Sequence, residues 1–252
     1  MNVELIDYTG CGHADPADYA AKLLIYTKNT RLEQSGMTRL AINGWPPERI
    51  ADELEYISKT IRSSWEFVDY TFQITGVSRA FTHQFVRTRT GSYAQQSQRS
   101  VDLSAGFDVL TPESVTGEPN RKRVWELAMQ HVWSAYADLR KMGVPTEDAR
   151  GVIPTNVSTN IIAKFNLRTM ADLAGKRDNP RAQGEYARVF QWMAKAVLEV
   201  HPWSEDFLYP ERSRTPALDK LLAAALGGAT PASKPEINDA LKELDSLKAV
   251  WG

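Results

Sequence analysis

Cysteine is almost absent. Cys11 is the only one in 252 residues, so no intrachain disulfide can form. Cys11 and His13 together are too few to build a metal site. No apolar run reaches the roughly 20 residues that a membrane-spanning helix needs. The opening MNVELIDYTG lacks the charged-then-apolar order of an export signal. Charge of one sign is missing too. The 30 Lys and Arg nearly balance the 31 Asp and Glu, which argues against broad affinity for nucleic acid or membrane surfaces. No nucleophile triad is visible, because Cys11 has no neighbouring base and Ser97 has no obvious histidine. Together these absences predict a cytoplasmic protein.

What is present fits a globular enzyme. Hydrophobic residues make up 42% and charged residues 24%. The length suffices for one large domain or two small ones. The basic residues cluster around positions 79–99 and 150–188. The densest stretch is 72–99, FQITGVSRAFTHQFVRTRTGSYAQQSQR. It carries Arg79, Arg87, Arg89 and Arg99, and arginine grips phosphate and carboxylate in a planar, bidentate manner. Gln84, Gln95, Gln96, Ser92 and Ser97 add neutral donors and acceptors suited to a base or a flavin ring. The stretch therefore reads as a site for an anionic, aromatic ligand, a nucleotide. Any one arginine alone could be an ion-paired surface residue. His83 and His131 read as packed or surface histidines, and the tryptophans as packing.

The pattern predicts a strand at 3–8, then a helix at 16–27 capped by Asp15. A second helix opens at Pro46 and Pro47, with Ile50, Leu54, Ile57 and Ile61 at helical spacing. A strand at 67–75 ends at Gly76, and Ser78 caps a helix to about 87. Residues 90–100 read as a polar loop. A long helix follows at 121–142, with Val124, Leu127, His131 and Val132 inward. Further helices are expected at 146–152, 156–175 and 181–200. Asn166 and Arg168 would then share a helix. Arg177, nine residues past Arg168, would face elsewhere, toward another ligand or solvent. The tail from Pro216 reads as two short helices split by Gly227, Gly228 and Pro231. The class is α+β, helix-rich.

The run Arg87-Thr88-Arg89, seven residues, then Ser97 resembles the Arg-His-Arg, seven residues, Ser signature of flavin-dependent thymidylate synthases. Gly76-Val77-Ser78-Arg79-Ala80, His83-Gln84 and the run 92–99 extend the likeness. So do Glu147-Asp148-Ala149-Arg150, Ile153-Pro154, Thr159-Asn160, Asn166-Leu167-Arg168, Arg177 and Ala182-Gln183, in the family's order and spacing. The resemblance covers roughly residues 50–200. It implies a helix-rich domain around a small, mostly antiparallel sheet, as in thymidylate synthase-complementing proteins. That catalytic domain would span 1–215, with a helical extension at 216–252.

The resemblance further implies reductive methylation at C5 of dUMP, giving dTMP, with FAD, NADPH and methylenetetrahydrofolate. Gln84, Arg87, Gln95, Gln96, Ser97, Arg99, Arg150 and Arg177 would hold the nucleotide, Arg99 and Arg150 near its phosphate. Arg177 would be catalytic, polarising the base. Ser63, Arg87, Thr88, Arg89, Thr90, Gln95, Asn166, Arg168 and Asp172 would face FAD. A homotetramer with shared sites is implied, with no metal, nucleic acid or membrane partner. Alternatives are a UMP C5-methylase, a hydroxymethylase of UMP or dUMP for modified nucleosides or phage DNA, and an inactive nucleotide- or flavin-binding protein.

The departures lie on the flavin and folate side. Thr88 stands where the family has His. Ile61 and Phe67, flanking Glu66, stand where it has two more, and Ser100 replaces a usual Tyr. Threonine offers one hydroxyl but no ring to stack or titrate, so weaker flavin binding is expected.

Overall fold

The computed structural model describes residues 1–30, 39–60, 62–177 and 184–210. Ile61, Ala182, Gln183 and the expected C-terminal helices lie outside that range. The fold is α+β and helix-rich. Four strands form one antiparallel sheet in the order β1-β2-β4-β3. They are β1 (Asn2–Tyr8), β2 (Asp69–Ser78), β3 (Ser92–Gln95) and β4 (Ser158–Asn166).

The sheet is one-sided. Tyr70, Phe72 and Ile74 of β2 pair with Phe165, Ala163 and Ile161 of β4, and all six are buried. Residues between them, such as Gln73, Ile162 and Lys164, face outward. This is the period of two expected of a half-buried strand. Helices cover the core face: α1 (Pro16–Asn29), α3 (Pro47–Lys59), α8 (Leu167–Arg177) and α9 (Gly184–Val200). Asp15 caps α1 by accepting from the Asp18 amide at 2.9 Å, as its side chain allows. Ile50, Leu54 and Ile57 form the buried stripe of α3. A short helix, α2 (Arg39–Asn43), lies between α1 and α3.

The strand at 67–75 is shifted in the structure. Phe67 closes a short 3-10 segment, Arg62–Phe67, and lies exposed. Gly76 does not end β2. It adopts φ +65 at a register shift between Ile74 and Val77, a bulge that lets the strand run on to Ser78. Ser78 then caps α4 (Arg79–Phe85), accepting from the Phe81 amide at 3.0 Å.

Three expectations are corrected. Residues 156–175 are not one helix: β4 fills the first half and α8 begins only at Leu167. Thr159, Ile161, Ala163 and Phe165 are buried while Asn160, Ile162 and Lys164 are not, a strand alternation that the sequence carries. Strands are therefore not confined to the first half. The polar stretch 90–100 contains β3, which pairs with β4 from Ser92–Lys164 to Gln95–Ile161. The long helix α6 (Pro119–Lys141) exists, but its expected inner face is open. Val124 is 68% and Leu127 46% exposed, His131 is exposed, and only Tyr136 is buried. The helix packs on α5 (Glu113–Thr116) and α7 (Thr146–Ala149) rather than on the sheet. After α9 the described chain closes with α10 (Glu205–Leu208). No helix among the described residues is long and apolar enough to cross a membrane.

Candidate active site

Two groups of polar residues gather at opposite ends of the β2–β4 pair. The first lies where Ser78 meets Ser158. Arg79 opens α4, and its amide and that of Ala80 are anchored on the carbonyls of Val157 and Thr155 at 3.0 and 2.7 Å. The Arg79 guanidinium donates to the Gln96 carbonyl at 3.1 Å, and its buried Nε has no hydrogen-bond partner among the described residues. Burial, and then the nearby positive charge of Arg150, lower its pKa. Arg150 donates from Nε to the Glu147 carbonyl at 3.0 Å. Arg99 reaches the Glu147 carboxylate from Nε and Nη2 at 3.1 and 2.8 Å, and its amide binds Ser97 Oγ at 3.1 Å. Of Arg79, Arg99 and Arg150, only Arg99 bonds a carboxylate among the described residues. The surplus of positive charge suits an anion such as a phosphate.

Gln95 ends β3 and Gln96 follows it, beside this cluster. The Gln96 amide pairs with the Asn160 carbonyl at 3.0 Å, while its side chain is exposed, as is that of Ser97. Gln95 Nε2 donates to Thr82 Oγ1 at 2.7 Å, and Thr82 Oγ1 lies 3.0 Å from the Arg79 carbonyl. A hydroxyl has one proton. With that proton given to the carbonyl, Thr82 accepts from Gln95 and fixes the amide with its oxygen free. Gln84, on α4, is half-buried nearby in sequence.

The second group lies toward Asn166. The chain turns at 88–91, where the Gly91 amide donates to the Thr88 carbonyl at 3.0 Å. The Tyr93 hydroxyl is 2.7 Å from the Thr88 carbonyl and 3.0 Å from that of Phe85, and burial raises its pKa. A Cβ on Gly91 would lie 2.4 Å from Phe165 Cε1, so only glycine fits. Arg87, Arg89 and Thr90 are exposed on this turn, and neither arginine side chain bonds another described residue. Two uncommitted guanidiniums fit a diphosphate-bearing cofactor. Asn166 and Arg168 fit it less freely. Asn166 Oδ1 caps α8 by accepting from the Thr169 amide at 2.9 Å, and Arg168 holds Glu66 at 2.7 Å. Asp172 faces Arg62 at 3.6 Å, and Ser63 is exposed on the adjoining 3-10 segment.

Arg177, the last residue of α8, is placed apart from Arg168, as their spacing requires. Its guanidinium carbon lies 4.2 Å from the ring centroid of Tyr186, and its buried Nε has no hydrogen-bond partner among the described residues. The Tyr186 hydroxyl is 3.5 Å from Thr88 Oγ1. Tyr186, Thr82 and Glu147 were not singled out from sequence. Glu147 sat in the matching block with Arg150, whereas nothing in the sequence marks Tyr186 or Thr82.

Arg79 of the first group and Arg87 of the second are eight residues apart across α4, roughly 12 Å at about 1.5 Å per residue. The fold is thus a helix-covered, one-sided antiparallel sheet bearing arginine-rich groups at both ends. A family model described as thymidylate synthase complementing protein matches residues 4–203. The chain is 34% identical over 206 residues to the flavin-dependent thymidylate synthase of Sulfurisphaera tokodaii, covering 80% of this chain and 75% of that one. It is 42% identical over 142 residues to that of Geobacter sulfurreducens (56% and 61% covered) and 31% identical over 209 residues to that of Clostridium tetani (72% and 83%). The chain belongs to the flavin-dependent thymidylate synthase family and is an enzyme of that type.

Proposed function

We propose that the enzyme methylates C5 of dUMP reductively, giving dTMP. Methylenetetrahydrofolate would donate the carbon and NADPH the reducing equivalents. The observation that carries this reading is the set of Arg79, Arg99 and Arg150, of which only Arg99 holds a carboxylate among the described residues, beside Gln95, Gln96 and Ser97, in a chain of this family. The arginines would hold the nucleotide phosphate, and Gln84, Gln95, Gln96, Ser97 and Arg87 its sugar and base. The Arg177 guanidinium would stabilise negative charge on the pyrimidine, favouring loss of the N3 proton and making C5 more nucleophilic. C5 would then bond to the one-carbon unit and lose its proton, and the bond from that carbon to the folate nitrogen would break to release tetrahydrofolate. Arg87, Arg89 and Thr90, with Ser63, Thr88, Asn166, Arg168 and Asp172, would hold FAD. Bound FAD would supply the redox chemistry that turns the transferred methylene into methyl.

The apolar face that α6 leaves open supports a homotetramer with sites completed by neighbouring copies. A cytoplasmic location is part of the same reading. A second reading, UMP as substrate or a hydroxymethyl product, draws on Thr88, whose hydroxyl is turned to Tyr186 rather than left free.

One experiment separates them. The purified protein is incubated with FAD, NADPH and methylenetetrahydrofolate, and with dUMP and UMP in parallel, and products are resolved by mass. dTMP from dUMP alone is expected; product from UMP or a hydroxymethyl mass supports the second reading, and no product with either overturns both. A flavin titration of the same sample should show FAD binding that is saturable and incomplete as purified. Light scattering should give four times the 28.3 kDa chain mass.

A further inference from the structure

Tyr186 is fully buried at the start of α9. Its ring is wedged edge-on against Phe81 (centroids 5.2 Å apart, 88°) and Phe85 (5.7 Å, 79°). The preceding residue, Glu185, ties α9 to Ser78 through both carboxylate oxygens. The ring therefore has little freedom. Against its face lies the Arg177 guanidinium, 4.2 Å from the centroid. Its hydroxyl faces Thr88, the small residue at the centre of the Arg-Thr-Arg run.

We propose that Tyr186 is a positioning residue for Arg177, and that Thr88 is its structural counterpart. This rests on the reading that Arg177 polarises the base. A carboxylate partner would orient a guanidinium but also cancel its charge and occupy its N–H donors. An aromatic face orients the same group while leaving the charge and the donors for a ligand. The attraction strengthens where water is excluded, as the buried Arg177 Nε indicates. Arg177 would thus arrive at the ligand already aimed, and the cost of ordering a long side chain would not fall on the reaction.

The test replaces Tyr186 by phenylalanine and by its mono-, di- and trifluoro analogues in the full chain, assembled with FAD. Shape is conserved along this series while the negative ring face is drained. With saturating nucleotide, kcat should stay within about twofold for Tyr186→Phe. It should then fall stepwise, by about tenfold at trifluorophenylalanine, at an unchanged melting temperature. A flat series overturns the proposal, because a ring that merely fills space is indifferent to fluorine. Arg177→Ala is measured alongside. If its turnover is near normal, the reading of Arg177 fails first and the proposal with it. If Arg177→Ala is dead and the series is flat, only the Tyr186 role fails.

Discussion

Glu185 holds Ser78 in a two-point grip: Oε1 accepts from the Ser78 amide at 2.7 Å and Oε2 from its hydroxyl at 2.5 Å. The same hydroxyl accepts from the Phe81 amide at the head of α4. The residue that ends β2 and caps α4 is thereby fastened to α9. Glu185→Ala strands two buried donors, so unfolding in urea should show a loss of about 1–3 kcal/mol. Turnover should fall too, since Tyr186 adjoins the grip. Stability equal to wild type would show that the grip contributes nothing.

Gly91→Ala should be costly despite the modest change. The added Cβ meets the Phe165 ring, which is locked by Phe85 and Tyr93. Overpacking of this kind costs typically 1–3 kcal/mol. Urea unfolding reads the loss, and an FAD titration should show weaker binding because the turn at 88–91 must shift.

Thr82→Val removes the acceptor that fixes the Gln95 amide while keeping the side chain's shape. If Gln95 meets the nucleotide through its oxygen, KM should rise about threefold to tenfold with kcat little changed. Thr82→Ser, which keeps the hydroxyl, should restore the wild-type KM. Equal KM in all three proteins would separate Gln95 from nucleotide recognition.

Stability should fall in mild acid because of His201. The imidazole is fully buried, its Nδ1 lies 2.9 Å from the Tyr70 hydroxyl, and burial lowers its pKa to about 4. The ordinary histidine value is about 6.5. Between those values the unfolded chain takes the proton and the folded one does not. The contribution is therefore full above about pH 6.5 and is lost as pH falls toward 4, on the order of 3 kcal/mol in all. Urea midpoints measured from pH 7.5 to 4 should trace this decline, and a buried non-titrating residue, as in His201→Gln, should flatten its part of it.

Much of the proposed ligand surface can be read from sequence because arginine, glutamine and serine crowd a short stretch, and their chemistry does not depend on the fold. Arg168 and Arg177 could be assigned to different faces from spacing alone, and they contact Glu66 and Tyr186 respectively. The strand β3 was not legible. Apart from Tyr93, its residues Ser92, Ala94 and Gln95 are polar or small, and pairing with β4, some seventy positions away, makes the four a strand. For β4 the alternation was present, but Asn160, Ala163 and Lys164 gave no β-branched run to weigh against a helix. For α6 the helix was right and its environment wrong. An apolar stripe reports what a face can bury, not whether the same chain supplies the cover.

The Arg99–Glu147 pair has a consequence for how a ligand enters. The two side chains are 66% and 50% exposed, so their mutual attraction is screened and small. A phosphate bound here, as proposed, would not land on bare cations. It would displace a resident carboxylate, and recognition would become an exchange of one anion for another. Such a swap changes the local charge less than simple capture would, so affinity should fall less steeply with salt than three arginines alone would dictate.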